Sequence, residues 1–361
     1  MTQRIRGVLS PVVTPFKADL SPDRERFIAH CKWLLSQNCG LAVFGTNSEA
    51  NSLAAEERST LLDALVAAGV DTSRMMPGTG CCSITETVKL TSQAVKHGCA
   101  GVLMLPPFYY KSVSEEGLYR YFSEVVQRVG HARLRIYLYH IPPVAMVGIT
   151  TGLVERLLAA YPNAIAGMKD SSGDWNNTKA FLDAFAVRAR HETSSKSQTP
   201  GSKSQGSSKI QHPKDEGTFG ARRSSDLEMD TQTSFDVFVG SESFLLASMR
   251  NGGVGTISAT ANVNPAAIHK LYAEWRNAEA DDQQAKLNVT RDAFGKKYLM
   301  IAALKQGIAI YANDPAWRTV RPPLVELTAE QAKTLAAELK AISFTMPGLK
   351  RAEAATTAVK S

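Results

Sequence analysis

Ile165-Ala166-Gly167-Met168-Lys169-Asp170-Ser171-Ser172-Gly173 is the stretch on which the reading of this chain turns. A short apolar run ends on a lysine, breaks into a polar loop closed by glycine, and gives way to an amphipathic stretch. The run is too short for a helix and reads as a buried strand handing over to one. The unit recurs. Strand-like runs fall at 7–14, 40–45, 74–80, 101–105, 135–141, 165–169, 235–240 and 255–259, with helical patterns between them. In the first helical pattern Ser21 is suited to cap and Pro22 to the first turn, while Phe27, Ile28, Cys31, Leu34 and Leu35 share one face. Asn264-Pro265 opens a later helix in the same way. About eight β-then-α units in series predict an α/β chain built as a (β/α)8 TIM barrel with additional C-terminal helices. An open doubly wound sheet is the alternative.

The expected organisation is a catalytic barrel over 1–279, a C-terminal helical region packed outside it over 280–348, and a flexible tail over 349–361. From 190 to 233 the chain turns to Ser, Gly, Lys, Gln and Asp with almost no aliphatic residues. Such a segment buries too little apolar surface to offset its ordering entropy, so a disordered insertion is expected there. Its place in the order puts it at the N-terminal face of a barrel, away from the chemistry. It reads as a tolerated surface loop, with serine phosphorylation as the regulatory alternative.

Composition narrows the function classes. The net charge of +7 over 361 residues is diffuse, with no basic run interleaved with aromatics, so no nucleic-acid partner is expected. The five cysteines, Cys31, Cys39, Cys81, Cys82 and Cys99, are odd in number and show no C-x-x-C spacing. That argues against a zinc site or a disulfide framework and for reduced thiols in a cytoplasmic protein. Cys81 and Cys82 follow a strand-like run, where packing is the expected role rather than nucleophilic attack. No stretch approaches the ~20 apolar residues of a membrane span, and the N-terminus runs into the first strand without an apolar leader.

In a barrel, catalytic groups come from the C-terminal ends of the strands. Those ends supply Thr46 and Asn47 after Gly45, the segment Pro106 to Lys111, Tyr139-His140-Ile141-Pro142, Lys169-Asp170, Gly240-Ser241-Glu242 and Ser258. A lysine closing an apolar strand is costly unless paired or neutral. Desolvation favours the neutral amine, the form that attacks a carbonyl. The other reading is a lysine snorkelling to the rim, paired with Asp170. Tyr139 ends the preceding strand, where its phenol could carry protons for that amine or sit half-buried as packing. Thr46 and Asn47 offer hydroxyl, amide and backbone N–H groups to a carboxylate, or cap an ordinary turn.

These segments, taken in order, resemble a known family. Pro11-Val12-Val13-Thr14-Pro15-Phe16, Gly45-Thr46-Asn47-Ser48-Glu49, Pro107-Phe108-Tyr109-Tyr110, Tyr139-His140-Ile141-Pro142, Gly167 to Gly173 and Gly253 to Ser258 are similar to the dihydrodipicolinate synthase / N-acetylneuraminate lyase superfamily of class I pyruvate-type aldolases. The resemblance runs from about Gly7 to Gly348. It implies that Lys169 forms the Schiff base, that Tyr139 shuttles the proton, and that Thr46 serves the proton relay and carboxylate site. It also implies that Tyr109 or Tyr110 is the relay tyrosine reaching over from a neighbouring subunit, that Gly240 and Ile257 line the pocket, and that Glu49 ties down its loop. Asn47 stands where the family usually has a second hydroxyl. Ser48 replaces a glycine, and His140 replaces an asparagine. Val144 stands where dihydrodipicolinate synthases carry an arginine for the second substrate's carboxylate.

The implied function is a Schiff-base-forming lyase or aldolase acting on pyruvate or a related 2-oxo acid, with no metal or organic cofactor, as a homotetramer or dimer. The alternatives are a 4-hydroxy-tetrahydrodipicolinate synthase, a 2-keto-3-deoxy sugar acid dehydratase using the same iminium, and a non-catalytic ligand-sensing barrel.

Overall fold

The computed structural model describes residues 4–186 and 235–351, which belong to one compact unit. The 190–233 segment and residues 352–361 of the tail lie outside the described residues. Seven parallel strands form one sheet in the order β2-β1-β7-β6-β5-β4-β3. They are β1 (Gly7–Ser10), β2 (Gly40–Leu41), β3 (Val102–Met104), β4 (Ile136–His140), β5 (Ile165–Asp170), β6 (Asp236–Val239) and β7 (Gly255–Ile257).

The run expected at 74–80 forms only isolated parallel bridges, Leu41 to Met75 and Gly78 to Leu103. Pro77 has no N–H to donate, which interrupts a regular ladder. The segment nonetheless links the two edge strands. Met76 N–H donates to Leu41 O at 2.8 Å, Gly78 N–H to Val43 O at 2.7 Å, and Leu103 N–H to Pro77 O at 2.9 Å.

Helices follow the strands as the periodicity requires, with one shifted start. The first spans Arg24–Ser36, and its cap is Asp23, whose carboxylate accepts Arg26 N–H at 3.0 Å. Ser21 instead turns back onto Asp19, and Phe16 pairs with Pro22 in an antiparallel bridge. That pairing holds Pro22 extended and delays the helix. The later helix does begin at Pro265, after Asn264.

The C-terminal helices are Ala280–Gly295, Met300–Tyr311 and Ala329–Ala341. The middle one is buried along most of its length. Every residue from Ile301 to Ala309 is buried, because this helix packs against the loop that follows β2 and carries a lysine into it.

The apolar residues separate into two layers. Leu9, Ala42, Met76, Leu103, Tyr137, Tyr139, Ala166, Phe238 and Ile257 form an inner cluster on one face of the strands. Ile136, Leu138, Ile165, Met168 and Val237 join the larger cluster that includes the helices. Along β4 this is strict alternation, the period of two that a pleated strand imposes. Along β5 it is broken once. Ile136 pairs with Ile165, but Tyr137 pairs with Gly167, leaving Ala166 as an extra residue. This is a β-bulge. Beyond it the alternation resumes one step out of phase.

Candidate active site

The bulge determines where Lys169 points. Past it, Leu138 pairs with Met168 and Tyr139 with Lys169, so the Lys169 and Tyr139 side chains lie on the inner face of neighbouring strands. Gly167 makes this pairing possible. A Cβ there would lie 2.2 Å from Asp236 O and 2.9 Å from the Tyr137 ring.

Lys169 is 3% exposed and Tyr139 2%, so the lysine does not snorkel to the rim. Lys169 Nζ donates to Tyr139 Oη at 3.2 Å, and Tyr139 Oη lies 3.1 Å from Thr46 Oγ1. Nζ also sits 4.3 Å from the centroid of the Tyr139 ring. Amine, phenol and alcohol therefore form one hydrogen-bonded line, and Thr46, half-buried, is its outer end. Asp170 is not the lysine's partner. It faces the helix layer, where its carboxylate accepts from Ser172 N at 3.0 Å, Asn177 Nδ2 at 3.2 Å and the Thr178 hydroxyl. His140, beside Tyr139, also faces outward. Its Nδ1 accepts Ile149 N–H at 2.9 Å, and burial holds its pKa below the usual imidazole range.

The loop bearing Thr46 is pinned from several sides. Phe44 and Glu49 both adopt left-handed backbone, φ 62° and 56°. Such strain in non-glycine residues persists only where surroundings over-determine it. Ser48 fits without that conformation. Its hydroxyl accepts Gly45 N–H at 3.1 Å and its carbonyl accepts the Thr14 hydroxyl at 2.7 Å. Asn47 is half-buried next to Thr46. The Glu49 carboxylate takes the ammonium of Lys305 and, at 2.9 Å, Arg321 N–H. Lys305 is fully buried, and desolvation, only partly opposed by Glu49, brings its pKa down to about 8.

Gly240 and Ile257 close the inner face nearby. Ile257 is fully buried in the inner cluster. Gly240 N–H donates to Asp170 O at 2.6 Å, and a Cβ on it would meet Ser171 Oγ at 1.9 Å. Tyr109 and Tyr110 stand apart, each 74% exposed and stacked edge to face with the other. Val144 is 60% exposed. Lys111, the nearest other cation among the strand-end motifs, has its ammonium on two backbone carbonyls, Phe108 O and, at 2.9 Å, Ala145 O. Cys81 accepts from Arg58 Nη2 at 2.8 Å, and burial pushes its thiol pKa up, as suits packing rather than attack.

Sequence reasoning missed Lys305, Arg321 and Arg291. The last reaches Glu242, a buried carboxylate that also accepts from the Ser258 and Thr260 hydroxyls. A carboxylate at a strand end signals that some cation must meet it, but no spacing rule identifies which one.

A parallel α/β sheet with such a line of groups at the carboxyl ends of its strands is the architecture of an enzyme. The model of the Dihydrodipicolinate synthetase family matches residues 4–187 and 216–342. The chain belongs to that family and is a lyase. It is 26% identical over 340 residues to an uncharacterized DapA-like lyase of Chloroflexus aurantiacus, covering 93% of this chain and 97% of that one. It is 30% identical to a 4-hydroxy-tetrahydrodipicolinate synthase of Thermus thermophilus, over 74% of this chain and 72% of that one. Among solved structures, dihydrodipicolinate synthase from Agrobacterium tumefaciens superposes with a TM-score of 0.74 at 27% identity, covering 94% of this chain and 99% of that chain.

Proposed function

We propose that the chain is a class I lyase that forms a Schiff base between Lys169 and pyruvate or a related 2-oxo acid, inside a sheet closed as an eight-stranded barrel. The Met75–Thr79 segment, bonded to both edge strands, supports the closure. The chemistry rests chiefly on one observation: a buried lysine amine whose hydrogen-bond partner among the described residues is a tyrosine hydroxyl, itself joined to Thr46.

The neutral amine adds to the keto carbon and gives a carbinolamine. Tyr139, at 3.2 Å from Nζ, passes a proton to the departing hydroxyl, and water leaves. The resulting iminium accepts the electron pair of the C3–C4 bond when that bond breaks, leaving an enamine, while the C4 hydroxyl gives its proton to the Thr46–Tyr139 line and becomes the carbonyl of the released aldehyde. Run the other way, the enamine adds to an aldehyde. Thr46 returns the proton to Tyr139, and Thr46 and Asn47 hold the substrate carboxylate. The iminium is the electron sink, so the sequence of steps calls for no metal or organic cofactor.

The relay continues through Tyr109 or Tyr110 supplied by a neighbouring copy in a tetramer or dimer. Their exposure supports a role outside their own subunit. Localisation is cytoplasmic in this reading. Among the described residues no helix is long and apolar enough to cross a membrane.

Incubation with pyruvate and borohydride tests the reading. The reduced adduct should map to the peptide containing Lys169. An adduct on another peptide, or none, overturns it.

A further inference from the structure

A cleft of about 660 Å³ opens away from the lyase site and is walled by Arg4, Arg6, Arg74, Arg133, Arg135 and Tyr272. Its position follows from the topology. Arg4 and Arg6 lead into β1, Arg74 into the Met75 bridge and Arg135 into β4, whereas Lys169 lies near the carboxyl end of β5. The cleft therefore lies at the amino ends of the strands.

The charge on its walls is one-sided. Among the described residues none that line it is Asp or Glu. Asp236, at the start of β6, lies 3.5 Å from Arg4 and 3.4 Å from Arg6 and pairs with both. Arg74 gives one Nη to Leu35 O at 3.2 Å, and Arg135 gives one to Leu134 O at 2.8 Å. Among the described residues no carboxylate pairs with Arg74, Arg133 or Arg135. Cations gathered about one cavity repel one another unless an anion joins them, and the mechanism of the lyase uses none of these side chains.

We propose that this cleft binds a small polyanion carrying two or more phosphate groups. Guanidinium forks match phosphate oxygens in pairs, which an ammonium does not do. The volume lies within the roughly 300–1,000 Å³ usual for small-molecule sites, so a phosphate ester of nucleotide size fits. Ile5, Val95 and Tyr272 supply apolar wall for its organic part.

Equilibrium dialysis of the full chain against sodium tripolyphosphate, in about 100 mM salt so that diffuse attraction is screened, tests the site. One equivalent should bind per chain. Arg133→Gln, at an exposed residue, should weaken binding by roughly tenfold or more, the scale of one charge-assisted contact, and Arg74→Gln should act in the same direction. Lys169→Ala should leave binding unchanged, because its amine lies near the carboxyl ends of the strands. Absence of binding overturns the proposal. So does equal affinity in both arginine variants, or loss of binding in Lys169→Ala, which would place the anion at the lyase site instead.

Discussion

Replacing Tyr139 by phenylalanine removes one oxygen from the centre of the proposed machinery and leaves the ring in place. That oxygen lies 3.2 Å from Lys169 Nζ and 3.1 Å from Thr46 Oγ1. Two hydrogen bonds disappear together, and among the described residues the amine, 3% exposed, keeps only the ring face beneath it. A bond to a charged group contributes roughly 1.5–3 kcal/mol and a neutral one about 0.5–1.5 kcal/mol. The fold should therefore lose about 2–4.5 kcal/mol at most. Catalysis should suffer more. Loss of an acid–base group slows turnover by roughly 10²–10⁴, equivalent to about 3–5 kcal/mol of barrier. The assay pairs urea unfolding with the single-turnover rate at which the pyruvate adduct becomes trappable by borohydride. Adduct formation should slow by that factor while the variant remains folded at room temperature, and kcat should fall with little change in KM. A variant that forms the adduct at the parental rate refutes the reasoning. Tyr139 would then be packing, and the proton would travel by another route.

Four further outcomes follow from the same structure. Lys169→Ala should abolish both turnover and the trappable adduct while the circular dichroism spectrum stays unchanged; an adduct retained in the variant would place the nucleophile elsewhere. The purified chain should condense pyruvate with L-aspartate semialdehyde poorly, because Val144 is apolar and Lys111 is held by Ala145 O at 2.9 Å; efficient condensation by the unmodified chain contradicts this, and Val144→Arg should raise the rate if the rest of the pocket suits that substrate. Lys305→Met should destabilise by about 3–5 kcal/mol, the cost of leaving one partner of a buried pair, and should also change the pH dependence of stability. Burial lowers Lys305 from 10.5 to about 8, so between those values the unfolded chain binds more protons, and the parental fold gains on the order of 3 kcal/mol as pH rises through that window; urea midpoints at the two ends that move equally in parent and variant would refute the assignment. Gly167→Ala should eliminate the adduct, since its Cβ would fall 2.2 Å from Asp236 O; normal trapping in that variant would show that the bulge does not orient Lys169.

Much of the site is visible in the chain as written. Alternating apolar and amphipathic runs announce strands followed by helices, and β5 ends where the Ile165–Lys169 run suggests, one residue on. Lys169 and Tyr139 can be selected because each closes such a run. Cap chemistry is less readable. Ser21 and Asp23 are both good capping residues, and only the Phe16–Pro22 bridge decides between them. The strand around Pro77 likewise looks apolar enough to pair, and it fails to form a ladder for want of one N–H.

Local pattern and residue type determine which groups this protein has at its strand ends, because hydrophobic period and turn chemistry act over a few residues. They do not determine which way Lys169 faces. Plain alternation from Ile165, which packs toward the helices, would send Lys169 outward with it. The extra residue Ala166 reverses the phase and sets the amine against Tyr139. Glu49 and Lys305 are 256 positions apart, and nothing local in either segment names the other. Side-chain direction after a bulge and pairing across that distance depend on strand register and helix docking, which exist only once the chain has folded.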